Sequence, residues 1–296
     1  MRVWVKSPTY THERAFLARM EFTCESLGHT ITEERPDLLI RWGGGPIDRP
    51  TIMVECGWLP RSSYQVSHRG INARHHLAGG ELHRLRPDQE AEVLGYMRRL
   101  RDGESVQFQY ADTTAPEARA SEPFLLCPFQ MEVDANLENV PVPLRSNRAL
   151  TELIASHAPP YPVWYKQHPA DRNGGQLRVR VGTRKDRLMP HLSAPVHAYL
   201  KSPHCKGVVT LNSNVSHDAL LWDVPVVTLG QGFWPEKRVF WAGLPKSWEA
   251  IRTFHDSARH KAARLSYAWN VMQAQWDLED ASNMDKVAEA IERAVA

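Results

Sequence analysis

The chain has 296 residues, with 36 Lys and Arg against 34 Asp and Glu, a formal net charge of +2, and 42% hydrophobic residues. That length is beyond what one hydrophobic core ordinarily fills, so two domains are expected; the near-balanced charge neither demands nor excludes a nucleic-acid or membrane partner. No apolar run approaches a membrane span, and the opening MRVWVKSPTYTHER holds no stretch of signal-peptide length, so any membrane role is expected to be peripheral.

Residues 2–5 (RVWV) predict a first strand. Residues 11–28 predict an amphipathic helix that starts near Thr11 or His12 and ends with Gly28 at its C′ position. Strands follow at 36–42, running into Gly43-Gly44-Gly45, and at 50–54, and a polar helix at 87–101. Strands and helices in this mixture predict a parallel α/β sheet. Residues 103–122 are poor in large aliphatics and rich in Ala, Ser, Thr and Glu, the texture of a linker. A second α/β series then runs as strand 124–129, helix 145–157, strands 162–166 and 177–182, helix 193–201, strand 207–211, helix 215–222 and strand 225–229. A helical, Trp-containing end covers 246–296. The expected domains are therefore 1–110 and 123–296, two Rossmann-like units with a ligand cleft between them. Cys24, Cys56, Cys127 and Cys205 form no CxxC pair, which fits a reduced, cytoplasmic protein.

Four segments place reactive side chains just past strand ends, the edge where open α/β sheets bind ligands. VECGWLPR offers Glu55, either a solvated loop acid or an acid or base. PFLLCPFQMEVD offers Gln130 and Asp134 after a buried run: a core strand with an Asx-type loop, or a placed carboxylate with an amide to hold its rotamer or a substrate oxygen. VWYKQHP puts Lys166 and His168 on one strand face at period two, suited to a phosphate or carboxylate. GVVTLNSNVSHDALLW ends a strand in Asn212, Ser213 and Asn214 and starts a helix at once. That arrangement caps the helix and also offers an anion site, with Asp218 one turn on, in reach of a ribose hydroxyl. No metal site is expected: His75, His76 and His83 lack ligand spacing, and no HExxH, GxGxxG or GxSxG occurs.

In this order the segments resemble the bacterial capsule-type β-Kdo transferases and related capsular polysaccharide proteins. The matching stretches are Glu55-Cys56-Gly57-Trp58-Leu59-Pro60, Gly70-Ile71-Asn72, the QxxxD from Gln130 to Asp134, and the KxHP from Lys166 to Pro169. Ser213 with Asp218, Leu220 and Leu221 follows, then Pro225-Val226 and Gly232-Phe233-Trp234. Cys56 stands where that pattern has a second acid, and Asp218 where it has Glu. The resemblance implies a GT-B-like, retaining glycosyltransferase that uses a nucleotide-sugar cosubstrate and no metal or other cofactor. It implies Asp134 at the anomeric centre beside Gln130, donor phosphate held by Lys166, His168 and Ser213, and ribose held by Asp218. The acceptor is expected to be a surface glycan or glycolipid. Two alternatives remain at this point. One is a DNA glycosyltransferase, for which the Arg- and His-rich segment 61–86 would meet phosphates; the other is a non-catalytic nucleotide- or glycan-binding protein.

Overall fold

A computed structural model describes residues 1–6, 11–60, 62–78, 81–104, 120–132, 134, 137, 140–169, 171, 187–189, 195–233, 239–242, 244, 246–253 and 258–296. The expected strand at 177–182, most of the expected linker, Arg61 and Trp234 lie outside them. In chain order the elements begin with β1 (Arg2–Lys6), α1 (Thr11–Ser26), β2 (Thr30–Ile31), β3 (Leu38–Trp42), β4 (Thr51–Cys56), β5 (Tyr64–Ser67) and α2 (Pro87–Arg99). They continue with β6 (Phe124–Pro128), α3 (Asn147–Ser156), β7 (Val163–Lys166), β8 (Arg187–Met189), α4 (Val196–Leu200), β9 (Cys205–Thr210), α5 (Val215–Leu221) and β10 (Val226–Thr228). The last are β11 (Phe240–Ala242), α6 (Lys246–Arg252), α7 (Ala258–Ala274), β12 (Gln275–Trp276) and α8 (Met284–Val295).

The chain divides into two compact units. The first joins Met1–Gly80 to Asn270–Ala296; the second is Glu81–Trp269. This partition differs from the expected 1–110 and 123–296 at both ends, because α2 goes with the second unit and the last 27 residues go with the first.

The first unit holds a six-stranded sheet in the order β12-β5-β4-β3-β1-β2. β2, β1, β3 and β4 run parallel, whereas β5 is antiparallel to β4 and β12 antiparallel to β5. The sheet is therefore mixed, not wholly parallel as the sequence suggested. Val3, Val5, Ile40, Ile52 and Val54 face one core, with Phe16, Leu17 and Met20 of α1 and Val287 and Ile291 of α8. α1 ends as expected: Gly28 sits at φ 82°, its N–H donates to Glu25 O at 2.9 Å and the His29 N–H to Cys24 O at 3.0 Å. These are the paired bonds of a glycine-terminated helix.

β12 is short and pairs antiparallel with β5, and the side chain of its first residue ties it to the loop after β4. Gln275 Oε1 accepts from the Leu59 N–H at 2.6 Å and from the Trp58 N–H, while its Nε2 donates to Leu59 O at 2.6 Å. The loop between β4 and β5 is thus held by a residue more than 200 positions away. Gly57 is required there, since a Cβ at this position would meet Ser63 Oγ at 1.9 Å and Gln275 Oε1 at 2.9 Å.

The second unit carries an all-parallel sheet in the order β11-β10-β9-β6-β7-β8. Leu125 and Cys127 of β6, Val163 and Tyr165 of β7, Val209 of β9 and Val227 of β10 share one core with Leu150 and Ile154 of α3 and Trp248 and Ile251 of α6. By the period-two pleat, Trp164, Lys166, Val208 and Thr210 face the opposite side. There the Trp164 ring meets Phe124 in a stack and Tyr199 of α4 edge-on.

Replacing Gln275 with Leu strands two buried N–H groups, at about 1–3 kcal/mol each. Urea denaturation should show a clear loss of stability, and an unchanged midpoint would mean that the loop is held by other contacts.

Candidate active site

The order of the second sheet decides where a ligand can sit. The chain builds β6, β7 and β8 outward in one direction, then returns to place β9, β10 and β11 on the other side of β6. The reversal falls between β6 and β9. Loops leaving neighbouring strands at such a point part in opposite directions and open a crevice at the C-terminal edge of the sheet. Three of the four segments singled out in the sequence lie at the ends of β6, β7 and β9, all on that edge.

Gln130 follows β6 and Asn212 follows β9, and the two are tied reciprocally. Gln130 Nε2 donates to Asn212 Oδ1 at 3.0 Å, and the Asn212 N–H donates to Gln130 Oε1 at 3.2 Å. Asn212 Nδ2 also donates to Gln231 O at 2.9 Å, so one side chain links the loops after β6, β9 and β10. Asn147 Nδ2 donates to Gln130 O at 3.1 Å, and Glu132 Oε1 accepts from the Asn147 N–H at 2.8 Å. This network carries the chain to Asp134, which is half-buried. The Asp134 N–H closes a turn on Met131 O at 2.9 Å, and its carbonyl accepts from the Leu137 N–H at 3.0 Å.

Lys166 ends β7 on the face that carries α4. It is 4% exposed, and among the described residues its Nζ has no hydrogen-bond partner. Burial alone pulls its pKa down to about 8. Because β7 stops at Lys166, the expected alternation does not extend to His168, which lies half-buried in the following turn, its carbonyl accepting from the Asp171 N–H at 3.0 Å.

The start of α5 is built differently from the expectation. The N-cap Asn214 makes no side-chain capping bond. Ser213 Oγ instead accepts from the Val215 N–H at 3.3 Å, and the Ser213 N–H donates to Thr210 Oγ1 at 3.2 Å. The helix has only seven residues, so the case for a ligand here rests on the sheet edge and Lys166, not on a helix dipole. Asp218, in the middle of α5, is 7% exposed, and its Oδ1 lies 3.6 Å from His197 Nε2 of α4. His197 was not singled out in the sequence, where nothing distinguishes it from an ordinary helix residue.

Glu55 belongs to the first unit. The register Lys6–Arg41–Met53–Ser67 forms a row on the sheet face away from the α1 and α8 core, and Glu55 opposite Gln65 forms the next. Glu55 Oε1 accepts from the Cys56 N–H at 2.9 Å. The two neighbouring sequence motifs prove to be one structural knot. Gln65 Nε2 donates to Cys56 O at 2.7 Å and Asn72 Oδ1 at 3.0 Å, its Oε1 accepts from the Asn72 N–H at 2.8 Å, and Trp58 Nε1 donates to Asn72 Oδ1 at 3.1 Å.

The Arg- and His-rich segment is not simply a basic surface loop. It contains β5, and His75 is buried against the Trp58 ring edge-on and stacked on His76 at 4.5 Å between centroids. Burial and the neighbouring imidazoles pull His75 down to about 3. Burial, His68 and then Arg293 pull His76 to about 4. Neither imidazole is a cation at neutral pH. Among the described residues no group of His, Cys, Asp and Glu is placed to hold a metal ion, and no helix is long and apolar enough to cross a membrane.

With this geometry in place, residues 54–277 match the sequence family described as "Capsule polysaccharide biosynthesis protein". The chain belongs to that family. Two solved structures from Thermosulfurimonas dismutans share its fold. The KpsC β-Kdo 2,4 transferase is 15% identical, with a TM-score of 0.59 and 90% of each chain covered. The KpsC β-Kdo 2,7 transferase is 16% identical, with a TM-score of 0.54 and 89% of each chain covered. No curated protein sequence matches the chain. Membership in the capsule polysaccharide family and a GT-B-like fold of two α/β units bear out the reading of a glycosyltransferase-type enzyme. These matches lend no support to the DNA alternative.

Two outcomes follow for this member of the capsule family. An unpaired buried ammonium destabilises the native state below pH 8, and the penalty fades as pH rises from 8 toward 10.5, where the unfolded side chain also loses its proton. Lys166→Met should therefore raise stability at pH 7 by on the order of 2 kcal/mol and have far less effect at pH 10.5. Equal effects at both pH values in urea melts would show that the ammonium is paired. For His75 and His76 the sign is the same, in a lower pH window. Stability is full above about 6.5 and falls as pH drops toward 4, where the unfolded imidazoles take up protons and the native ones resist, a loss on the order of 3 kcal/mol. His75→Phe should flatten that acid slope; an unchanged slope would place the proton uptake elsewhere.

Proposed function

We propose that this protein transfers a sugar from a nucleotide-activated donor to a hydroxyl of a surface glycan or glycolipid, with retention of anomeric configuration. The donor lies against the second unit. The observation that carries the reading is Lys166: an ammonium buried at the C-terminal edge of a parallel sheet, one strand from the order reversal, with no partner among the described residues. A cation kept at that cost in stability suits a phosphate that arrives with the substrate. His168 and the Ser213 and Asn214 turn stand on the same edge and supply further donors to it. Asp218 takes the ribose.

Transfer passes through an oxocarbenium-like state, which a nearby carboxylate stabilises or traps covalently before the acceptor hydroxyl attacks. Asp134 is that carboxylate. Gln130 has both amide groups engaged with Asn212; it acts by fixing the loop that presents Asp134, since catalysis needs placement within about 0.5 Å. Glu55, on the half-exposed end of β4, is the competing candidate for the essential acid or base, which Glu55→Gln tests. The fold shared with the two β-Kdo transferases supports Kdo as the first sugar to test, and family membership supports a capsular acceptor.

The test begins with thermal shifts against CMP, UDP, GDP and ADP. A nucleotide at 100 times its Kd adds about 2.7 kcal/mol, and Lys166→Met should abolish that shift. Asp134→Asn keeps shape and hydrogen bonding but removes the charge, so nucleotide binding should persist while transfer falls by at least about 100-fold. Binding without transfer by the wild type, with any of the corresponding nucleotide sugars, would favour the non-catalytic alternative. Near-normal turnover in Asp134→Asn would remove Asp134 from the mechanism.

A further inference from the structure

Asp218 is buried in α5 with a carboxylate that, among the described residues, meets one side chain only, His197 at 3.6 Å. That distance is beyond a hydrogen bond and within the range where a dipole still orients a charge. His197 is itself held from behind: Trp222 Nε1 donates to His197 Nδ1 at 3.1 Å. An indole nitrogen can only donate, so Nδ1 accepts, and the neutral imidazole carries its proton on Nε2, toward Asp218. Trp222 is fixed in turn by its place at the C-cap of α5 and by Lys201 Nζ, 5.0 Å from the ring centroid. The Trp222 N–H thus fixes His197, whose Nε2 faces one oxygen of the Asp218 carboxylate at 3.6 Å, and the other oxygen meets no side chain among the described residues. α4 and Lys166 lie on the same face of the sheet, so this carboxylate and the ammonium assigned to phosphate are on the same side of it.

We propose that His197 is a positioning residue for nucleotide recognition: with its tautomer fixed by Trp222, it turns the Asp218 carboxylate so that the other oxygen accepts from a ribose hydroxyl. The inference rests on the donor reading above, and it makes discrimination between ribose and deoxyribose a property of the His197–Trp222 pair. A charged acceptor aimed at a 2′-hydroxyl gives a preference for the ribonucleotide of about tenfold or more. A misaligned acceptor gives little.

The experiment measures Kd by titration calorimetry for matched ribo and 2′-deoxy forms of CMP, UDP, GDP and ADP. For the nucleotide that binds, the wild type should prefer the ribo form about tenfold. Asp218→Asn and His197→Ala should both bring the ratio near one, with affinity for the deoxy form little changed because Lys166 still holds the phosphate. His197→Gln should restore most of the preference, since its amide nitrogen stands close to where imidazole Nε2 stood. Trp222→Phe, which keeps an aromatic ring and removes the N–H that sets the tautomer, should give an intermediate ratio. Should His197→Ala fail to fold, the Gln and Phe variants decide the matter. A wild-type ratio in His197→Ala or Trp222→Phe would reduce His197 to packing and overturn the proposal. A ratio near one in the wild type, with binding still abolished by Lys166→Met, would overturn it and leave the donor site standing. No binding of any nucleotide by the wild type would overturn both.

Discussion

The reversal of strand order between β6 and β9 is the constraint from which the rest of the second unit follows. A sheet that grows one way and then the other leaves two neighbouring strands whose following loops diverge. Something must hold the base of those loops together. Gln130 and Asn212 do so with two mutual bonds, and Asn212 reaches the loop after β10 as well. Each of these amides is nearly buried, where a missing partner would be costly and a reciprocal pair is correspondingly firm. The crevice therefore has a rigid floor made of side chains that do not need to touch substrate. Lys166 ends the strand next to β6, and Asp134 lies in one of the loops that the floor anchors.

How much of this could be read from the amino-acid order depends on what decides each element. β6, β7, β9 and β10 of the second sheet were legible because both of their faces are covered, which writes them as continuous apolar runs such as FLLCP and VWYK. The end of α1 was legible because only glycine sits easily at φ 82°. β5, β8 and β12 were not. They are short, carry polar residues, and exist because a neighbouring strand supplies their bonds. β12 is the clearest case: Gln275 reads locally as the polar end of a helix, and its role depends on two N–H groups near residue 58. The return of the last residues to the first unit follows from the same contact, so no local pattern announces it. Among the candidate residues, Lys166 was found from its place at the end of a buried strand, but its isolation is a property of the packing. His197 carries no local signal, since its importance comes from Trp222 and Asp218, both on another helix or its cap.

The first unit shows how a sequence resemblance can mark architecture as readily as chemistry. The ECGWLP and GIN stretches looked like parts of an active site. In the structure Gly57 makes room for Ser63 and Gln275, Asn72 at φ 52° turns the chain so that its N–H meets Gln65, and Trp58 donates to the same Asn72 side chain. These residues serve a tight turn whose buried polar atoms are bonded to one another. Of the stretch, Glu55 alone is a charged group on the half-exposed end of its strand.

That contrast separates structural from functional polar burial in this protein. Gln65, Asn72 and Gln275 are buried and bonded on more than one side, and the free energy of each is settled within the folded chain. Lys166 and Asp218 are buried as deeply, yet one has no partner and the other a single contact at 3.6 Å among the described residues. A charge held in that condition lowers stability, and proteins near their stability threshold retain such a cost where something else depends on it. An anion meeting Lys166 and a hydroxyl donor meeting Asp218 would each complete what the fold leaves open. A nucleotide presents both groups on one molecule, phosphate and ribose a few bonds apart, and for that reason the two residues are read together as one site.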